Sequence, residues 1–288
     1  MSGLRERLAA DLASEGLAPL HRLGQNFMID ERALDAICDA LDVRAGTRVV
    51  EVGPGTGLLT ARMIDRGADV LAVELDHGLC RLLTRTLVPR GLVLVHADCL
   101  ESKSRLHPAI VSFAENASAS WRMGANLPYD VALPVILNAA ALTVQPERIV
   151  VTVQLEAAQR LCSKPTDDAW GASAAVLQAA GTPRLVRRLS PESFYPRPRV
   201  DSAILAWEPR QRLPNGFGAW CRSVFSARRK VLPGALRDAG MTRAAAEDAC
   251  RSCGIDPARR LENLDASELL ALFGAVLALA GPVQERPT

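Results

Sequence analysis

The sequence predicts an α/β protein: a doubly wound, seven-stranded sheet followed by a small all-α C-terminal domain. Three observations carry that expectation. Short apolar runs alternate with segments of helical spacing as far as Val153, the pattern of strands joined by crossover helices. A glycine-rich turn links the first such strand to its helix. Beyond Trp207 the texture changes, and only helical patterns remain.

Taken in order, Glu31 to Leu41 carries Leu34, Ile37 and Leu41 at helical spacing. Arg48-Val49-Val50-Glu51-Val52 is a short apolar run closed by glycines and reads as a buried strand. Leu58 to Ile64 follows as a helix, Val70 to Glu74 as a second strand, His77 to Leu87 as a second helix, and Leu92 to His96 as a third strand. Arg122-Met123-Gly124-Ala125 leads to a fourth strand end. Val131 to Leu142 reads as a helix with Pro134 tolerated in its first turn. Ile149 to Val153 is a fifth strand. Arg184 to Arg188 and Ser202 to Trp207 are expected to form the hairpin that completes seven strands.

The stretch from Glu208 to Gly216 is polar and rich in breakers, which places the expected domain boundary there: residues 1–208, then 209–288. From Gly218 the patterns are helical, and the residues from Gly281 read as a polar tail.

Composition narrows the function classes. Hydrophobic residues make up 49% of the 288, enough for a packed interior. Lys and Arg number 34 against 32 Asp and Glu, so the net charge of +2 does not itself argue for nucleic acid. Charges interrupt every apolar stretch near the N-terminus and no run of 18 apolar residues occurs, so neither a signal peptide nor a membrane span is expected. The seven cysteines are scattered, except Cys250 and Cys253, and suit a reduced cytoplasmic setting. That pair lacks the further ligands a zinc site needs and reads as two neighbours on a helix from Arg243 to Cys253. No metal is expected, and the chain is expected to be monomeric.

Glu51-Val52-Gly53-Pro54-Gly55-Thr56-Gly57 follows the first strand and opens a helix. Gly53 and Gly55 allow close backbone approach to a ligand, and the helix N-terminus favours electron-rich groups. Glu74 ends the second strand, where a carboxylate can accept both hydroxyls of a ribose; Asp98 ends the third, where it can accept from an adenine amine. These features fit a nucleoside-bearing cofactor. NAD stays open, although the glycine spacing is not the dinucleotide fingerprint.

Asn126-Leu127-Pro128-Tyr129 follows the fourth strand. Pro128 fixes its own backbone and biases Leu127 to an extended one, which can turn carbonyls outward. Such a loop suits an exocyclic amine of adenine, whose lone pair is delocalised into the ring. Acceptors at the Asn126 side chain and the Leu127 carbonyl would bond its N–H groups and free that lone pair toward a sulfonium methyl. The work is positioning and electrostatics. Tyr129 offers a face for the base, with Phe194 in Ser193-Phe194-Tyr195-Pro196-Arg197-Pro198 as a second; a proline-bound turn capping the core is the plainer reading.

With these motifs in place the chain resembles the bacterial small-subunit (16S) ribosomal RNA adenine dimethyltransferases. Leu23-Gly24-Gln25-Asn26-Phe27 is similar to the family's N-terminal motif, with Met28 where leucine is usual. The resemblance continues through Glu51 to Thr60, Glu74-Leu75-Asp76, Asn126 to Tyr129, Val153 to Arg160, Phe194 to Ala203, Phe225 to Lys230, and Arg260 to Leu264. It implies a Rossmann-like methyltransferase sheet, S-adenosylmethionine as cofactor, and two adjacent adenines near the 3′ end of small-subunit rRNA as substrate. It also implies that Asn26, Met28, Gly53, Glu74, Asp98 and Asn126 touch the cofactor. Departures occur at Ala97-Asp98-Cys99, at Asp130, and at Trp170 to Ala174, where an arginine of the family is lost.

Five arginines lie between Arg184 and Arg199, among them Arg197 and Arg199, against one acid, Glu192. Arg222, Arg228, Arg229 and Lys230 form a second cluster. Both suit phosphate contacts to RNA, although a charge run is also simply a solvated face. Two other functions compete: a large-subunit rRNA dimethyltransferase of the antibiotic-resistance type, which would tend to lack Phe225 to Lys230, and a non-catalytic RNA-binding assembly factor, against which the intact tetrad argues.

Overall fold

A computed structural model describes residues 2–20, 24–116 and 120–280. Leu23 of the N-terminal motif and the polar tail from Gly281 lie outside the described residues. The seven expected strands form one sheet: β1 (Arg48–Val52), β2 (Asp69–Glu74), β3 (Val93–His96), β4 (Trp121–Asn126), β5 (Arg148–Gln154), β6 (Gly181–Leu189) and β7 (Ser202–Pro209). Their order is β3-β2-β1-β4-β5-β7-β6. The first five run parallel, and β7 inserts antiparallel to β5, with Ser202 opposite Gln154 and Trp207 opposite Ile149. Val49, Val50, Val70, Ala72, Ile149 and Val151 are all buried, the reason these runs show no polar alternation.

The helices of this part are α1 (Ser2–Ser14), α2 (Glu31–Ala40), α3 (Leu58–Asp65), α4 (His77–Thr86), α5 (Pro108–Glu115), α6 (Tyr129–Ala140) and α7 (Leu155–Leu161). Asp30 caps α2 by accepting from the Ala33 N–H, and Asp76 caps α4 by accepting from Gly78 and Leu79. α1, α5 and α7 were not expected. α1 is held by Leu8 and Leu12, buried against Phe27, Ile29 and Leu79. One expectation is corrected. α6 begins at Tyr129, not Val131, so Pro134 lies inside the helix and not in its first turn. The ring leaves the Asp130 carbonyl without its helical donor.

The chain divides into two compact units. One comprises Met1–Ala158 with Thr182–Arg210, and the other Gln159–Gly181 with the chain from Gln211 onward. The late crossing falls close to the expected boundary, but residues 159–181, assigned by sequence to the first domain, group with the second. The cause is apolar packing. Trp170 and the alanine face of α8 (Ala172–Ala180), formed by Ala174, Ala175 and Ala179, are buried with Phe217, Cys221 and Val224 of α9 (Phe217–Phe225). α10 (Leu232–Asp238), α11 (Arg243–Ser252) and α12 (Ala266–Ala280) complete this helical unit. All seven cysteines are free thiols. Cys253, just past α11, donates to the Ala249 carbonyl, and burial pushes the Cys250 thiol up to about 11. No group of acids, cysteines and histidines among the described residues is arranged to hold a metal, and no described helix is long and apolar enough to cross a membrane.

Candidate functional site

Everything in the cleft follows from how β1 ends. Gly53 donates to the Val73 carbonyl at 2.9 Å, and Gly53, Gly55 and Gly57 all have positive φ, a region closed to most side chains. At Gly55 a Cβ would sit 2.9 Å from the Phe27 ring. The turn folds back on the end of β2, where Glu74 Oε2 accepts from the Gly55 N–H at 3.1 Å and Oε1 from the Asp76 N–H at 2.8 Å. Burial pushes the Glu74 carboxyl up, and these bonds oppose the shift. Each oxygen keeps a further lone pair for a ligand hydroxyl. Asp98 stands exposed on the same cleft, with Oδ1 accepting from the Leu100 N–H.

The N-terminal motif forms a strap over this turn. Phe27–Met28 pairs antiparallel with Phe194–Tyr195, Met28 opposite Phe194. Ile29 donates to the Ser193 carbonyl at 2.8 Å, and the Ser193 hydroxyl bonds Asp30 at 3.1 Å. Gln25 ties the strap down by donating to Asp76. Arg5 of α1 lies over the Tyr195 ring, 5.2 Å from its centroid. Phe27 thereby packs on the glycine turn, and Asn26 and Met28 line the same cleft.

The tetrad sits at the end of β4. Asn126 donates through Nδ2 to the Asn26 carbonyl at 2.8 Å and accepts at Oδ1 from the Thr152 hydroxyl. Leu127 is buried, and Pro128 lies against Gly24 and Gly53. The Tyr129 hydroxyl is 2.7 Å from that of Ser202, and burial pushes the phenol up. Phe194 is 4% exposed. Asn26, Met28, Gly53, Gly55, Glu74, Asp98, Asn126, Leu127, Pro128, Tyr129 and Phe194 all line one cleft of about 230 Å³. Sequence reasoning overlooked Glu51, which lines the same cleft. It is buried, accepts from the Thr60 hydroxyl at 2.6 Å, and is pushed by burial up to about 8. It also overlooked Thr152 and Ser202, whose partners lie far along the chain.

The basic residues divide differently. In the first unit Arg197 pairs with Glu192 yet stays 64% exposed, and Arg199 is exposed. In the second unit Arg228 is committed internally, donating to the carbonyls of Asp168 and Trp170, with Glu262 at 4.0 Å. Lys230 pairs with Asp238 at 2.7 Å. Arg222 and Arg229 are exposed, with no ion pair among the described residues.

The strand order, with an antiparallel β7 between β5 and β6 and a glycine turn facing a strand-end acid, defines a Rossmann-like methyltransferase domain. The family model for ribosomal RNA adenine dimethylase matches residues 20–276, and the chain belongs to that family. Among curated relatives, the ribosomal RNA small subunit methyltransferase A of Geobacter metallireducens is 34% identical over 94% of this chain and all of its own length. That of Moorella thermoacetica is 33% identical, covering 92% and 95%. Solved structures share the fold. A dimethyladenosine transferase from Plasmodium falciparum superposes with a TM-score of 0.68 at 21% identity, covering 85% of this chain and 95% of that one. The 23S rRNA methyltransferase ErmE gives 0.64 at 21%, covering 87% and 99%.

Proposed function

We propose that this chain transfers methyl groups from S-adenosylmethionine to the exocyclic amines of two adjacent adenines near the 3′ end of small-subunit rRNA, giving dimethyladenosines during small-subunit biogenesis. The single observation that carries the reading is the Asn126 amide, held at both ends beside the glycine turn in a cleft that also contains Tyr129 and Phe194. Family membership supplies the substrate class.

The cleft fits the cofactor. Gly55 leaves room only for a hydrogen against Phe27, and the buried Glu74 carboxylate keeps lone pairs for ribose hydroxyls. Gly53, Asp98, Asn26 and Met28 would hold the rest. Bound there, S-adenosylmethionine supplies a methyl on an electrophilic sulfonium. The protein's part is to present the amine. Asn126 Oδ1 and the Leu127 carbonyl accept from the N–H groups of the unmodified amine, and one of them from the single N–H left after the first methylation, favouring a pyramidal nitrogen whose lone pair points at the methyl; the proton of the methylated amine then leaves to water. Tyr129 and Phe194 hold the base by stacking, a contact of about 1–3 kcal/mol per base. Arg197, Arg199, Arg222 and Arg229 take backbone phosphates without reading sequence. The free thiols accord with a cytoplasmic setting.

Methyl transfer from labelled cofactor to undermethylated small subunits and to large-subunit RNA, with the product mapped, tests the reading. Label at the adjacent adenines of the small subunit is expected; label confined to large-subunit RNA overturns it. Asn126→Ala should lose turnover far more than cofactor affinity, and equal losses would make Asn126 chiefly a cofactor ligand.

A further inference from the structure

We infer that Thr152 is a positioning residue that fixes the orientation of the Asn126 amide, an inference that rests on the function proposed above. The sheet brings the two together. β4 and β5 run parallel with Asn126 and Thr152 as register partners, so their side chains leave the same face of adjacent strands. The Asn26 carbonyl can only accept, and it takes the Asn126 Nδ2 at 2.8 Å. Oδ1 therefore faces β5, and the Thr152 hydroxyl meets it as a donor. The amide is pinned at nitrogen and oxygen, and one Oδ1 lone pair remains for a substrate N–H.

The hydroxyl has no packing reason to be there. Thr152 is fully buried between Val151 and Val153, in a run otherwise made of Ile and Val. Valine has the same shape and strand preference, without a hydroxyl to desolvate. Burying that group is recovered by its bond to Asn126. Without the bond the amide is held at its nitrogen alone, and its oxygen samples directions that miss the amine.

The test compares Thr152→Val with Thr152→Ser. Thr152→Val should lower kcat on undermethylated small subunits about tenfold, the loss of roughly one hydrogen bond, and leave cofactor Kd and RNA KM within about twofold. Thr152→Ser keeps the hydroxyl and should recover kcat to within about threefold of the unsubstituted chain. A kcat for Thr152→Val within about twofold of the unsubstituted chain overturns the inference. So does a Thr152→Ser as slow as Thr152→Val, which would assign the effect to packing. A second measurement does not depend on turnover: the side-chain amide resonances of Asn126 in a ¹⁵N-labelled sample. Thr152→Val should shift and broaden this pair while the backbone spectrum is kept, and Thr152→Ser should restore it; an unchanged pair overturns the inference. If the unsubstituted chain transfers no methyl to small-subunit RNA, the substrate reading fails and the amide resonances still decide the role of Thr152.

Discussion

Replacing Glu51 with glutamine should flatten the pH dependence of stability in the unit that carries the cleft. Glu51 is 1% exposed, and burial pushes its carboxyl from 4.5 up to about 8; the Thr60 hydroxyl bond opposes that shift and the nearby Glu74 adds to it. The sign follows from proton counts. Between the two values the folded chain holds a proton that the unfolded chain has released, so stability is greatest below the unfolded value and falls as pH rises toward about 8. At about 1.4 kcal/mol per pH unit, the loss is about 3 kcal/mol by pH 7 and about 4–5 kcal/mol by pH 9. Glutamine keeps the volume and an acceptor for Thr60 without a charge to desolvate. Native-state hydrogen exchange of the β1 and β4 amides in the ligand-free protein reads this unit alone. Glu51→Gln should match the unsubstituted chain near pH 4 and become the more stable of the two by a margin that widens up to about pH 9. Parallel pH curves would refute the argument, because they would mean that Glu51 titrates alike in the folded and unfolded chains.

Gly55→Ala is expected to weaken cofactor binding at least tenfold. Its φ is +62° and its new methyl would press the Phe27 ring, so the strap carrying Asn26 and Met28 must move. Equilibrium dialysis with labelled cofactor measures it, and an unchanged Kd would mean that the strap yields without cost. Arg222→Ala with Arg229→Ala should lower the slope of log K for RNA against log salt by about 1.5–2, the share of two phosphate contacts. An unaltered slope would remove both from the RNA. Arg228→Ala should instead destabilise the helical unit by about 1–3 kcal/mol in urea unfolding, because the Asp168 and Trp170 carbonyls lose their donor. A loss of salt slope at unchanged stability would return Arg228 to the RNA surface.

The parts of this protein that were legible in the sequence are those written locally. Ile149 to Val153 is apolar because both faces of a parallel sheet are covered, and three glycines can be read as a turn wherever they stand. The unread parts depend on register or on a distant partner. Thr152 stands 26 residues from Asn126, and Ser202 stands 73 from Tyr129. Each reads locally as a strand residue, and only the order β4-β5-β7 makes either hydroxyl a neighbour of the tetrad. Arg228 and Arg229 are adjacent and chemically identical, yet one faces carbonyls of its own unit and the other faces solvent. α1 escaped notice because charges separate Leu4, Leu8 and Leu12, although their four-residue spacing is that of one helical face. Residues 159–181 were misassigned because chain proximity to β5 says nothing about which core Trp170 fills.

On the proposed function, one short ribbon would bear on both ligands: Phe27 and Met28 of the strap would close the cofactor side of the cleft, and Phe194 of its pairing partner would supply a wall for the base. The backbone carbonyl of Asn26, one residue before that strap, also holds the Asn126 amide. A displacement of the strap would therefore move a proposed cofactor contact, a proposed base contact and the Asn126 amide together, whereas Glu74 bonds the Gly55 and Asp76 N–H groups and, among the described residues, makes no bond to the ribbon or to Asn126. This predicts different kinetic signatures for equal losses of cofactor affinity. At saturating cofactor, Gly55→Ala should retain a defect in kcat, because the displaced strap pulls on Phe194–Tyr195 and on the Asn126 amide, and Glu74→Gln should recover most of it. Equal recovery in the two variants would show that the strap acts on the cofactor alone and that its displacement leaves Phe194 and the Asn126 amide in place.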